Sequence, residues 1–204
     1  MAARTPPLRP ALRARYDRRQ RDVVASAARL FAERGYQATS IGDLSEATGL
    51  AAGGLYHYIG SKEQLLVRIC DELLEPLLVE ARAIVAQDTP AEAQLRALLR
   101  AWLVHIERHR HHMLVFAQER RVIQSDKQWQ QVRRQRREFV QILDDLLARG
   151  EAAGTMAFPD RGLTLLALLG MVNYVPQWLR PRGRLAVEQI ADGFSDIVLR
   201  AGAP

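Results

Sequence analysis

The chain of 204 residues has a single cysteine, Cys70, no apolar run of membrane-spanning length and no familiar catalytic signature. One cysteine makes no internal disulfide, which fits a reducing compartment. The most apolar window, 163 to 175, is interrupted by Thr164 and Asn173 and falls short of a hydrocarbon core of roughly 30 Å. No apolar stretch near the N-terminus resembles a signal peptide. These scarcities describe a cytoplasmic protein without a membrane partner. H-E-x-x-H, a Ser-His-Asp order and a glycine-rich phosphate loop are all missing, so the sequence does not read as an enzyme and implies no cofactor.

What is present is a core and a charged arm. Hydrophobic residues make up 48% of the chain, enough for a sizeable interior. The net charge is +6, and residues 1 to 21 carry all of it, with seven arginines from Arg4 to Arg21 against one acid, Asp17. A basic arm of about 1 to 12 on a neutral body suits a polyanion such as a nucleic-acid backbone; a solvated tail has the same composition.

Helical periodicity runs almost throughout. Val23, Val24, Ala27, Leu30 and Phe31 mark a helix over about 16 to 34, stopped by Gly35. Thr39 or Ser40 caps a short second helix that Gly49 ends, and a third covers about 52 to 58. Ser61 caps a fourth, which Pro76 is expected to kink or end. Thr89-Pro90 opens a fifth, with Leu95, Leu98, Leu99, Trp102 and Ile106 in one stripe. A sixth spans about 111 to 121, Asp126 caps a seventh, Pro159 opens an eighth that is apolar nearly all round, and a ninth covers about 185 to 200. No strand pattern competes with these.

The second and third helices, joined at Gly49, form a helix-turn-helix, whose second helix enters the major groove. Ile41, Leu44, Leu50, Leu55 and Tyr58 are spaced to turn inward, leaving Tyr56 and His57 outward. A tyrosine hydroxyl, an imidazole and Lys62 at the next helix start suit phosphate contacts.

Residues 39 to 65, "TSIGDLSEATGLAAGGLYHYIGSKEQL", together with "VVASAARLFAERGYQATSI" before them, resemble the DNA-binding signature of the TetR family of transcriptional regulators. The resemblance implies an all-α fold of nine helices: an N-terminal helix-turn-helix domain, about 13 to 60 behind the arm, and a ligand-binding and dimerisation domain, about 61 to 204. It implies a homodimer on a double-stranded DNA operator. DNA contacts are then expected from Arg13, Thr39, Ser40, Tyr56, His57 and Lys62, with the groove met by Ala51, Ala52, Gly53 and Gly54. The chain departs from the family where Ala51, Ala52 and Gly54 replace hydrogen-bonding residues, which shifts readout toward thymine methyls, close backbone approach and DNA shape.

"HIERHRHHMLVFAQERR" holds four histidines, of which His105 and His109 share a helix face at metal-ligand spacing. A helix break at 110 to 111 and the lack of cysteines favour local hydrogen bonding over a metal. In "RRQRREF", Arg133, Arg134, Arg136 and Arg137 face several sides of one helix, as a solvated face does. The same helix bears Trp129 and Phe139. A cavity with arginines at its mouth suits an amphipathic anion such as an acyl-coenzyme A. The C-terminal "GMVNYVPQWLRPRGRLAVEQIADGF" is similar to TetR-type repressors of fatty-acid and sterol-ring breakdown, which release DNA on binding a CoA thioester. On that likeness the expected ligand residues are Trp102, His105, Phe116, Trp129, Arg133, Arg136, Phe139, Asn173 and Trp178. A multidrug-responsive repressor of the same fold is the alternative, with the aromatic residues stacking on planar cations.

Overall fold

The computed structural model describes residues 9–119, 127–180 and 183–200. Among the described residues there are nine α-helices, one 3-10 turn at Lys127–Trp129 and no strand. The helices are α1 (Pro10–Arg34), α2 (Ile41–Thr48), α3 (Ala52–Ile59), α4 (Lys62–Val85), α5 (Ala91–Arg108), α6 (Arg110–Gln118), α7 (Gln130–Ala152), α8 (Arg161–Trp178) and α9 (Val187–Arg200). Two compact units divide them: one takes in the chain up to Leu73 with His111–Val132, the other Leu74–Arg110 with Arg133–Pro204. Helix α6 therefore belongs to the same unit as α1, α2 and α3. The expected cap at Asp126 lies outside the described residues, as does Arg4 of the arm.

In the first unit α1 starts at Pro10, six residues before the position its apolar stripe suggests. Proline at the first helical position loses no hydrogen bond, and the alanine, leucine and arginine that follow are good helix formers. Tyr16, Val23, Val24, Ala27 and Phe31 are buried along one face, each large apolar side chain contributing about 1.5–3 kcal/mol. Gly35 ends the helix at φ 84°, a conformation that glycine adopts without strain.

Pro76 does not end α4, which runs on to Val85. The ring is exposed, so water can reach the carbonyl that loses its partner. Leu73, Leu74, Leu77 and Leu78 around it are buried, and their burial outweighs a proline penalty of about 3 kcal/mol.

In the second unit α5 packs along α9 and against α8. Leu95, Leu98, Leu99, Trp102 and Ile106 are buried as their stripe requires. Arg96 and Arg100 reach Asp196 and Asp192 at 2.7 and 2.8 Å. These half-exposed pairs set register more than stability, at about 0–1 kcal/mol each. Two caps differ from expectation. Helix α5 is preceded by Pro90 with no side-chain cap instead of by Thr89, and α8 is capped by Asp160, whose Oδ1 accepts from the Leu163 amide at 2.7 Å. Asp160 supplies the acceptor that Pro159 lacks.

Candidate functional site

Three helices of the first unit build a recognition surface. The α2 start is held by a reciprocal pair: the Asp43 amide donates to Ser40 Oγ at 3.1 Å and the Ser40 amide to Asp43 Oδ2 at 2.7 Å. The Ser40 hydroxyl, then the Ser40 amide, and then Arg34 at 3.0 Å hold the Asp43 carboxyl below the usual carboxylate range. Gly49 closes α2 in the left-handed region at φ 65°, where a side chain would be strained.

Helix α3 begins without a side-chain cap at Ala51. Ala51, Ala52, Gly53 and Gly54 are all exposed. Neither glycine has a positive φ, and a Cβ built at either meets nothing within 4 Å. The fold itself therefore does not require glycine there. The first turn of α3 presents little beyond backbone and methyl groups, and first-turn N–H groups have no partner within their own helix, a geometry suited to close approach to DNA.

Helix α1 pins this surface through three side chains. The Tyr16 hydroxyl donates to the His57 carbonyl at 3.2 Å, Gln20 Nε2 to the Tyr58 carbonyl at 2.8 Å and Arg19 Nη2 to the Thr48 carbonyl at 3.0 Å. Those oxygens lie at the C-terminal ends of α2 and α3, where helical carbonyls lack internal partners. The rings of Tyr16, His57 and Tyr58 form a cluster with centroids 5.1–5.4 Å apart.

Lys62 projects from the start of α4. Its Nζ lies 4.5 Å from the Tyr36 ring centroid and 3.4 Å from the Gln37 carbonyl. Burial lowers its pKa, opposed by the nearby carboxylates of Glu119 and Asp43. Glu119, just past α6, accepts from the Tyr36 amide at 3.4 Å.

Two expectations for this surface are corrected. Thr39 is 1% exposed and its hydroxyl donates to the Gly35 carbonyl at 2.8 Å, so its side chain is not presented to a phosphate. Tyr58 is half-buried and Ile59 takes the inward place, because Leu55 and Ile59, one turn apart, share the core face of α3. Ser40 is exposed, with its oxygen engaged in the cap. Arg13 is exposed and pairs with Asp17 at 3.4 Å, while Tyr56 and His57 are half-exposed.

The expected ligand residues are spread across both units. In the second unit Trp102 meets Phe139 edge to face at 4.8 Å, and Arg133 is half-buried on α7 while Arg136 is exposed. His105 is buried, its ring 4.5 Å from His109, and it lines a groove of about 680 Å³ with Arg96, Arg100 and Arg108. Desolvation, then the neighbouring His105 and Arg108, lower the His109 pKa. In the first unit Phe116 is half-buried, and Trp129 is fully buried with no hydrogen-bond acceptor for its indole N–H among the described residues. His112 Nε2 lies 4.0 Å from the Glu72 carboxylate, whose pKa burial raises. Asn173 and Trp178 depart from the expectation of an enclosed site: both are exposed, on the α8 surface that also presents Leu163, Leu166 and Tyr174. The nearly unbroken apolarity of α8 conceals which of its faces the core covers. Among the described residues no group of three metal-ligating side chains occurs, and no helix is long and apolar enough to cross a membrane.

Residues 23–69 match the family "Bacterial regulatory proteins, tetR family", and residues 88–201 match "Tetracyclin repressor-like, C-terminal domain". The chain belongs to the TetR family. The HTH-type transcriptional repressor KstR2 of Mycolicibacterium smegmatis is 30% identical over 184 residues, 89% of each chain. The solved ketosteroid transcriptional regulator KstR2 of Mycobacterium tuberculosis superposes with a TM-score of 0.85 at 25% identity, over 91% of this chain and 95% of that one. AibR, solved in complex with isovaleryl coenzyme A and operator DNA, gives a TM-score of 0.78 at 26% identity, over 91% of this chain and all of that one. This TetR-family chain is thus a DNA-binding transcriptional repressor by type and not an enzyme.

Several residues that shape this TetR surface are not apparent from its motif. Tyr16, Arg19 and Gln20 hold the two ends of the helix-turn-helix, and Glu119 reaches the α1–α2 turn. Tyr16, Gln20, Val23 and Ala27 do continue the helical stripe backwards at spacings of three and four, which was the one available signal. Glu119 carried none, since its partner lies 83 positions away.

Proposed function

We propose that the chain is a ligand-responsive repressor that holds its operator as a homodimer and leaves it on binding a CoA thioester. The observation that carries the DNA half is the exposed, side-chain-poor first turn of α3, braced from behind by Tyr16, Arg19 and Gln20. Tyr56, His57 and Lys62 flank it as phosphate contacts that position without reading bases. Functionally, residues 1–12 serve as a basic arm, 13–60 as the DNA-binding domain and 61–204 as the effector and dimerisation domain. Its workplace is the cytoplasm, where bacterial operators are.

Dimerisation falls to α8 and α9. Leu163, Leu166 and Tyr174 are each about two-thirds exposed, and Ile197 on α9 is 57% exposed. An exposed apolar surface of this kind is costly unless a partner covers it. Two α3 helices must then match major grooves about 34 Å apart or a multiple of that distance. An effector that favours the wrong separation empties the operator, at a cost of about 5.5 kcal/mol of differential binding for a swing from 99:1 to 1:99.

For the effector, the Trp102–Phe139 pair offers an apolar surface and the Arg133-bearing helix offers cations for phosphates. AibR's complex with isovaleryl coenzyme A supports a thioester. The test is a gel-shift or anisotropy assay on a duplex enriched from a random pool, with added acyl-CoA thioesters or planar drug cations. Release by thioesters alone is expected; release by cations alone would favour the multidrug alternative. Replacing Lys62 with alanine should weaken all duplexes alike and make the salt dependence shallower by about 0.9.

A further inference from the structure

The amino-terminal half of α1 and the carboxyl-terminal end of α3 enclose a cleft of about 840 Å³, lined on one wall by Arg15, Arg18 and Arg19 and on the other by His57 and Tyr58. Among the described residues Asp22 is the only acid in the lining. We propose that this cleft is a second phosphodiester seat, in which Arg15 and Arg18 hold the DNA backbone beyond the stretch that α3 itself meets. The proposal rests on the DNA-binding reading above and adds a site to it.

Two observations carry it. The first is how the arginines are spent. Arg34, Arg82, Arg96, Arg100 and Arg161 each face a carboxylate at 2.6–3.0 Å, and Arg19 donates to the Thr48 carbonyl. Arg15 and Arg18 are exposed and make no ion pair among the described residues. Three positions apart, they share one side of α1. Their charge is uncompensated on a chain whose whole net charge lies in its first 21 residues.

The second is rigidity. Tyr16 and Gln20, on the same helix as the arginines, bond to the carbonyls of His57 and Tyr58, the residues that form the opposite wall. The distance from the arginine pair to the recognition helix is therefore set by hydrogen bonds, so a strand that meets α3 meets the cleft at a fixed offset. The lining fits a backbone better than a small ligand, because its cations are solvent-facing and none of its charged side chains is buried. Contacts of this kind add affinity without sequence preference.

The experiment is a salt titration of full-length wild type and the Arg15→Ala/Arg18→Ala double variant, on the enriched duplex and on a scrambled duplex of equal length. The expected result is a log–log slope shallower by about 1.8, or about 0.9 for each lost contact, with the same fold-loss on both duplexes. Arg15→Lys/Arg18→Lys should restore the slope, which separates charge from folding. Phosphate-ethylation interference should show wild-type-sensitive phosphates that the alanine variant ignores. An unchanged slope, in a variant compared with a wild type that does bind, overturns the cleft and leaves the α3 reading intact. A wild type that binds neither duplex in a salt-dependent way overturns both.

Discussion

The Tyr16 hydroxyl sits 3.2 Å from the main-chain oxygen of His57, bridging 41 positions of sequence to tie the long first helix to the recognition helix. Its partner Gln20 lies 3.4 Å from the same hydroxyl, so the two side chains brace α3 together. Removing the hydroxyl with Tyr16→Phe keeps the buried ring but leaves a carbonyl short of a donor. Thermal or urea unfolding should show a loss of about 0.5–1.5 kcal/mol. DNA affinity should fall on all sequences alike, since the surface is loosened and no base contact is removed. A change in base preference would show that the brace sets base readout as well as affinity.

Asp43 gives a pH signature. Its folded pKa lies below the ordinary value of 3.8, because Ser40 and Arg34 stabilise its charged form. A depressed carboxyl pKa contributes stability that is fully present above pH 3.8 and is lost as pH falls through the lower folded value. An NMR titration of Asp43 should give a midpoint below 3.8, and Ser40→Ala should move it back up. A midpoint at or above the ordinary value would mean that the cap does not persist in solution.

Gly54 separates stability from function. No neighbour would meet a Cβ at this position, and its φ is not left-handed, so Gly54→Ala should stabilise α3 by about 1 kcal/mol. The added methyl nevertheless stands on the surface proposed to approach DNA. We expect a higher melting temperature with weaker operator binding. Tighter binding would place that turn away from the duplex.

Leu166 is 66% exposed on α8, within the apolar face assigned to the dimer seam. Leu166→Asp should give monomers in analytical ultracentrifugation, because an unpaired charge in an apolar seam costs several kcal/mol. Persistence of a folded dimer would move the interface off α8.

On α7, Arg133→Ala should weaken CoA-thioester binding roughly ten- to a hundredfold, the equivalent of one charge-assisted hydrogen bond of about 1.5–3 kcal/mol. Operator affinity of the effector-free protein should stay unchanged. Calorimetry that finds equal thioester affinity in both proteins would return the arginine row to a solvated face.

Much of the architecture was legible from local pattern. Stripes such as Leu95, Leu98, Leu99, Trp102 and Ile106 dictate a helix and its buried face together, because three-four spacing leaves one side to cover. Gly49 marked one end of α2 and Thr39 or Ser40 the other for equally local reasons, a left-handed closure and an oxygen able to accept an amide, and Ser40 is the residue that caps it. Chain composition likewise concentrated the charge at the N-terminus. Tertiary structure decided what depends on partners distant in sequence. Pro76 stayed inside α4 because buried leucines on both sides outweigh the missing hydrogen bond. Thr39 is 1% exposed because the folded unit covers it, although its own hydrogen bond, to the Gly35 carbonyl, is local. Asn173 and Trp178 came to lie on an open face of α8, a helix too uniformly apolar for its pattern to say which side the core would take. Periodicity records how much of a helix must be covered; which neighbour covers it is a property of the folded chain alone.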